Sequence, residues 1–242
     1  MSKIVNVQEN QVEAMFNGIA PQYDFLNHLL SFGIDKLWRK RLVKGVAKRN
    51  PSYVLDVATG TADLSVALAR RLANVRIVGV DIAAQMLKFA SSKLHRLGLE
   101  QKITLQKASS LSLPFDPNTF DTAMVAFGVR NFEDPLLGLS EMHRVLKPGG
   151  SIHILEFTTP RYKLIGWVYR FYFSKILPTV GRMVSGHKSA YTYLPLSVSA
   201  FKEWEAFNEL LMQAGFENAQ YKQQSLGVAA IYTATKPLAN QP

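Results

Sequence analysis

The chain has 242 residues, with 28 Lys and Arg against 18 Asp and Glu, a formal net charge of +10 and an isoelectric point near 9.7. A hydrophobic fraction of 48% supplies a core and excludes global disorder; the absence of cysteine excludes a disulfide scaffold, a thiolate metal site and a cysteine nucleophile. The opening residues MSKIVNVQEN lack the apolar stretch of a secretory signal, and no run of about 18 apolar residues follows, so the expectation is a cytoplasmic chain drawn by its charge to something acidic: nucleic acid, a nucleotide or an anionic membrane surface.

Apolar periodicity predicts helices over 8–20 and 34–49, the second ended by Pro51. From Tyr53 the pattern becomes alternating. Tyr53–Ala58, Val75–Asp81, Ile103–Gln106, Thr122–Phe127 and Ser151–Phe157 read as buried strands. Between them, Ala62–Leu72, Ala83–Leu97 (closed by Gly98) and Pro135–Leu146 read as helices. Lys147-Pro148-Gly149-Gly150 is expected to stop the last of these before a strand at Ser151. A helix at about 201–214 and two strands, about 216–224 and 228–235, joined as a hairpin near Ser225-Leu226-Gly227, complete the chain. Strands alternating with helices imply an α/β fold: one doubly wound, mostly parallel sheet of seven strands covered on both faces. The expected organisation is a single domain made of a helical arm (1–50), a cofactor-binding core (51–157), an insertion (158–200) and a C-terminal helix with hairpin (201–237).

The insertion is chemically distinct. No Asp or Glu occurs between Phe157 and Lys202, whereas the stretch carries Arg161, Lys163, Arg170, Lys175, Arg182, Lys188 and Lys202, with aromatics that include Trp167, Tyr169, Phe171, Tyr172 and Phe173. Such a segment suits an acidic or lipidic partner; the plain alternative is an insertion whose aromatics pack on the core.

In a doubly wound sheet, ligands bind beyond the carboxyl ends of the strands. Two loops are therefore candidates. In Asp56-Val57-Ala58-Thr59-Gly60-Thr61-Ala62-Asp63, Gly60 permits close backbone approach and Thr61 lies near the N–H groups that open the next helix. At the end of the next strand, Asp81 is placed to accept hydrogen bonds from ribose hydroxyls. Neither G-x-G-x-x-G nor G-x-x-x-x-G-K-[ST] is present. That disfavours a nicotinamide dinucleotide and a P-loop nucleotide, and leaves a smaller adenosine ligand such as S-adenosyl-L-methionine.

Val54-Leu55-Asp56-Val57-Ala58-Thr59-Gly60-Thr61 resembles the first motif of class I, Rossmann-like methyltransferases, with Ala58 and Ala62 in place of the outer glycines. Tyr23-Asp24-Phe25-Leu26-Asn27 with Ser31-Phe32-Gly33-Ile34 and Trp38, then Phe127-Gly128-Val129-Arg130-Asn131, and Arg144-Val145-Leu146-Lys147-Pro148-Gly149-Gly150 continuing to Leu155-Glu156-Phe157, resemble the signatures of the quinone C-methyltransferases of menaquinone and ubiquinone biosynthesis. The likeness runs from about residue 10 to 237. It departs at Asp35, where many relatives have His, at Ser109, where Asp or Asn is usual, and at Ala126, where Ser is often found.

The resemblance implies S-adenosyl-L-methionine as cofactor, held by Asp56, Gly60, Thr61, Asp81, Ser109 and Ser110, and a prenylated quinol as substrate, with no metal and no nucleic acid partner. It implies methylation of a ring carbon, made nucleophilic by deprotonating a ring hydroxyl, so the quinol and not the quinone is the expected substrate. Arg130 is then the expected stabiliser of the phenolate and Asn131 the orienter of substrate or water, while Tyr23 and Asn27 close over the site from the arm. The insertion would lead the prenyl tail along its aromatics and hold anionic head groups with Arg161, Lys163, Arg170 and Lys175 in transient membrane contact. Relatives suggest a homodimer. Asp35 and the run Ser189-Ala190-Tyr191-Thr192-Tyr193-Leu194-Pro195 favour the naphthoquinol, demethylmenaquinol, over a benzoquinol. The rival classes are a nucleic acid methyltransferase, disfavoured by the missing cysteine and missing Asn/Asp-Pro-Pro-aromatic motif, a methyltransferase on a soluble small molecule, and a non-catalytic lipid- or partner-binding module on this scaffold.

Overall fold

The computed structural model describes residues 8–22, 31, 33–162, 166, 167, 169, 171, 193 and 196–239. Its elements, numbered in chain order, are α1 (Glu9–Ile19), α2 (Ile34–Ala47), β1 (Tyr53–Val57), α3 (Asp63–Ala69), β2 (Arg76–Asp81), α4 (Ala84–Leu97), β3 (Ile103–Lys107), β4 (Phe120–Ala126), α5 (Pro135–Val145), β5 (Leu146–Phe157), α6 (Glu205–Gln213), β6 (Glu217–Gln224) and β7 (Ala229–Thr235). The strands form one sheet in the order β3-β2-β1-β4-β5-β7-β6. All neighbours pair in parallel except β7, which runs antiparallel to both β5 and β6.

Local chemistry explains where the elements begin and end. Helix α5 opens with Asp134 as its cap, the carboxylate accepting from Leu137 N–H at 3.0 Å, and with Pro135 where no N–H is needed. Helix α4 closes on Gly98 at φ +65°, whose N–H returns to the His95 and Leu94 carbonyls. The central strands β1, β2 and β4 are buried almost end to end, because helices cover both faces. One core, with Leu55, Val125, Leu139, Phe207 and Tyr232, lies on one face; the other, with Trp38, Leu42, Val54, Leu68 and Leu155, lies on the opposite face.

One expectation needs correction. Lys147-Pro148-Gly149-Gly150 does end the helix, but as a bulge inside a strand and not as a loop before one. Strand β5 already pairs at Leu146 with Phe120, and the register shifts before Thr122 meets Ser151. Gly149 sits at φ +75°, and a methyl on Gly150 would lie 2.7 Å from the Lys147 carbonyl. The extra backbone is thus folded into the strand edge, and β7 anchors it: Gly149 N–H donates to the Lys236 carbonyl and Lys236 N–H to the Gly150 carbonyl.

Within the basic insertion, Trp167 and Phe171 are exposed and stacked, with ring centroids 6.1 Å apart, whereas Tyr169 is buried with Ile19, Ala20, Ala83 and Met86. Arg161 pairs with the Glu205 carboxylate at the surface and lies over the Trp204 ring. Lys163, Arg170 and Lys175, like Tyr172 and Phe173, lie outside the described residues. Among the described residues, no helix is long and apolar enough to cross a membrane.

Candidate active site

Strand β1 delivers Asp56 to the carboxyl edge of the sheet, but the side chain faces inward. It is 1% exposed, and one oxygen accepts from both Thr59 Oγ1 (2.7 Å) and Ser65 Oγ (2.6 Å). Burial lifts its pKa from 3.8 to about 6 against the pull of those two hydroxyls. Asp56 therefore shapes the turn from beneath. The turn itself is built from three left-handed residues, Ala58 (φ +52°), Gly60 (φ +56°) and Ala62 (φ +64°). The two alanines stand where the resembled motif has glycine, and each holds a conformation that costs an L-residue about 1–2 kcal/mol. Thr61, between them, is buried.

Strand β2 delivers Asp81, which clamps two loops: Oδ2 accepts from Gly60 N–H and Oδ1 from Ala83 N–H, both at 2.8 Å. Burial raises its pKa and the backbone amides oppose the rise. Each carboxylate oxygen retains a further lone pair for a ligand.

Strand β4 ends in a strained turn. Phe127 lies at φ +61° and stacks on Phe157 at 4.5 Å. Its carbonyl accepts from Arg130 Nη1 (2.7 Å) and Asn131 Nδ2 (3.3 Å), which fixes both side chains. Arg130 is 7% exposed and its Nη1 lies 2.5 Å from Glu156 Oε1, whose side chain is fully buried. Glu156 also accepts from the Phe157 and Arg130 backbone N–H groups. Arg130 Nε and Asn131 Oδ1 are buried with no hydrogen-bond partner among the described residues. Burial raises the Tyr193 hydroxyl pKa, and the nearby Arg130 charge opposes the rise.

Between these three strand ends and helix α1 lies a cleft that opens to solvent. Its lining brings together Gly60, Asp81, Ser110 and Asn131 from the sequence-predicted set. Asp56, Thr61, Ser109 and Arg130 are not part of that lining. Tyr23 and Asn27 lie outside the described residues. Sequence reasoning missed Glu9, the carboxylate that α1 adds to the lining, and the pairing role of Glu156; a glutamate inside the apolar run Ile152–Phe157 is the signal that could have exposed the latter. Among the described residues the lining contains two carboxylates, Glu9 and Asp81, no Lys or Arg, and the orphaned Asn131 Oδ1. That donor set suits a ligand that bears positive charge and N–H or O–H donors, which S-adenosyl-L-methionine has in its sulfonium, ammonium and ribose hydroxyls.

Sheet order, clamp and cleft define a class I S-adenosylmethionine-dependent methyltransferase. The ubiE/COQ5 methyltransferase family matches residues 4–236, and the chain belongs to that family. Demethylmenaquinone methyltransferase of Bacteroides fragilis is 41% identical over 229 residues, 95% of this chain and 94% of the relative. Demethylmenaquinone methyltransferase of Thermus thermophilus is 44% identical over 92% of this chain and 100% of the relative. Ubiquinone/menaquinone biosynthesis C-methyltransferase UbiE of Geobacter sulfurreducens is 44% identical over 94% and 89%. Among solved structures, the [4+2]-cyclase SpnF superposes with a TM-score of 0.69 at 20% identity, covering 96% of this chain and 98% of that one. A SAM-dependent methyltransferase from Aquifex aeolicus superposes at 0.57, also at 20% identity, over 80% and 88%. These structural likenesses establish the fold; SpnF, a cyclase by name, illustrates that the fold alone does not fix the reaction.

Proposed function

We propose that this enzyme methylates the ring carbon of demethylmenaquinol to give menaquinol. What carries the proposal is the end-to-end likeness to relatives named for that reaction, over 92–95% of this chain. A second reading, methylation of a benzoquinol as well, is favoured by the relatives named for both quinones.

Bound S-adenosyl-L-methionine supplies an electrophilic methyl group. The chain's residues do the rest. Asp81 and Gly60 hold the cofactor at the sheet edge, with Ser110 along the cleft. Loss of a ring hydroxyl proton places negative charge on the adjacent ring carbon, and a nearby cation favours that anion. Arg130 supplies the cation from behind the cleft lining, as one half of its buried pair with Glu156. Its Nη1 serves Glu156 and the Phe127 carbonyl, and its buried Nε–H has no partner among the described residues. Asn131, hinged on the same carbonyl, orients the ring or a water through its unpartnered Oδ1. Tyr23 and Asn27 close the arm over the ring and relay its proton. Exposed, stacked Trp167 and Phe171 meet the membrane surface from which the prenyl tail is drawn, and the working unit is a homodimer.

Mass spectrometry of purified protein with S-adenosyl-L-methionine and demethylmenaquinone in detergent tests the reaction. One methyl group is gained only when a reductant is present. Methylation of a benzoquinol precursor but not of the naphthoquinol would move the assignment to the second reading, and inactivity on both would refute each.

A further inference from the structure

Helix α1 is the part of the cleft that the sheet does not build, and it brings one charged group. The cleft lining includes Val12 and Phe16 of α1 with Ile82, Ala108 and Phe132, which together make an apolar slot beside Asp81, and Glu9, the first residue of α1, belongs to the same lining.

The Glu9 carboxylate is held in place. Its Oε1 accepts from Ser109 Oγ, and Ser109 Oγ in turn accepts from Leu111 N–H at 3.0 Å. The Glu9 backbone N–H donates to Glu133 Oε2 at 2.9 Å. Two further ties dock the same helix: Glu13 to Lys107 Nζ at 2.6 Å, and Asn17 Oδ1 to the Gln85 N–H at 2.9 Å. The second oxygen of Glu9 has no partner among the described residues. Ser109 thus turns its hydroxyl towards Glu9 and fixes the orientation of a longer side chain that reaches the slot.

An ionised carboxylate accepts hydrogen bonds and donates none. Facing an apolar ring slot, it favours a ring edge carrying an amino group and repels one carrying a carbonyl oxygen. We infer that Glu9 is the specificity-determining acceptor for the exocyclic amino group of the cofactor's purine, and that Ser109 is its positioning residue. The inference rests on the cofactor assignment above. It also couples base recognition to the docking of α1, because the residue that reads the base opens the helix that covers the cleft.

Isothermal titration of the full chain with S-adenosylhomocysteine and with S-inosylhomocysteine, which carries a carbonyl in place of the amino group, tests it. The native protein prefers the adenosyl ligand by about tenfold or more. Glu9→Gln, whose amide offers an N–H to the carbonyl, brings the ratio of the two affinities towards one, and Ser109→Ala moves it part of the way. Glu13→Gln loosens the same helix without facing the slot, so it weakens both ligands alike and leaves the ratio unchanged. A Glu9→Gln protein that discriminates like the native one overturns the inference while leaving the cofactor assignment intact. A shift of the ratio in Glu13→Gln equal to that in Glu9→Gln assigns the effect to docking and also overturns it. A native protein that binds neither ligand removes the cofactor assignment and the inference together.

Discussion

Glu156→Gln separates the structural from the catalytic work of Arg130. The pair is enclosed: the Arg130 side chain is 7% exposed, that of Glu156 is fully buried, and the closest atoms are 2.5 Å apart. Glutamine keeps an acceptor for the Phe157 N–H, which sits 2.9 Å from Oε1, and removes the charge together with the long contact from the Arg130 N–H to Oε2. The guanidinium is then buried against neutral acceptors alone, the retained side-chain oxygen and the Phe127 carbonyl at 2.7 Å. Removing one partner of such a pair costs about 3 kcal/mol, which for a chain of this size lowers the melting temperature by roughly 6–12 °C. In Arg130→Met/Glu156→Gln no buried charge remains, and stability returns to within about 1 kcal/mol of native. Methyl transfer does not return, because the phenolate has lost its cation. Differential scanning calorimetry and the mass-spectrometric assay on the two variants measure both effects. A double variant as active as the native enzyme would refute the role of Arg130 in stabilising the anion. A Glu156→Gln protein as stable as native would refute the account of the pair as a buried electrostatic unit.

Four further outcomes follow from the geometry. Gly128→Ala places a methyl 2.7 Å from Ala58 Cβ and 2.9 Å from Val125 Cγ1, so it destabilises by about 1–3 kcal/mol in urea unfolding, and Ala58→Gly recovers part of that loss. Ala62→Gly alone is neutral to stabilising by about 1 kcal/mol, because relief of the left-handed strain at φ +64° outweighs the added freedom of the unfolded chain. Asp81→Asn keeps one acceptor of its two and weakens S-adenosylhomocysteine binding by roughly tenfold or more by calorimetry, since the Gly60 and Ala83 loops lose their common clamp.

The last prediction concerns pH. Asp56 titrates at about 6 in the fold, above its unfolded value, so the native state takes up its proton first and stability rises as pH falls from about 6 to 4, by about 3 kcal/mol. His153, pulled down to about 4 by burial, acts in the opposite sense: its contribution is complete above its unfolded value and is lost as pH falls towards 4, by a similar amount. The two offset each other in the native protein. Asp56→Asn, whose carbonyl oxygen still accepts from Thr59 and Ser65, exposes a steep acid loss below pH 6 in chemical denaturation. A profile as flat as the native one would contradict this assignment.

The sequence by itself determined much of this protein. Runs such as Ile77–Val80, and Val54–Val57 apart from Asp56, are apolar because both faces of the central strands are covered, and that local signal marks a parallel sheet. Gly98, Asp134 and Pro135 mark helix ends because capping is a matter of a few neighbouring residues. The place of Asp81 at a strand end was legible because it follows from the alternation alone. The tertiary structure decided what depends on distant partners. Ser109 and Glu9 stand 100 positions apart, and Arg130 and Glu156 stand 26 apart, so no window of sequence shows that one serine orients a carboxylate into the cleft or that the arginine is held in an ion pair. Asp56, one residue before the end of β1, is turned under the loop by the alternation of side chains across the sheet, and burial and two hydroxyls hold it there. Ala58 and Ala62 carry no local sign of a left-handed backbone; the packing of one turn between β1, Gly60 and Gly128 imposes it. The bulge at Lys147–Gly150 exists because β7, nearly ninety residues later, supplies the partners that draw those residues into the sheet.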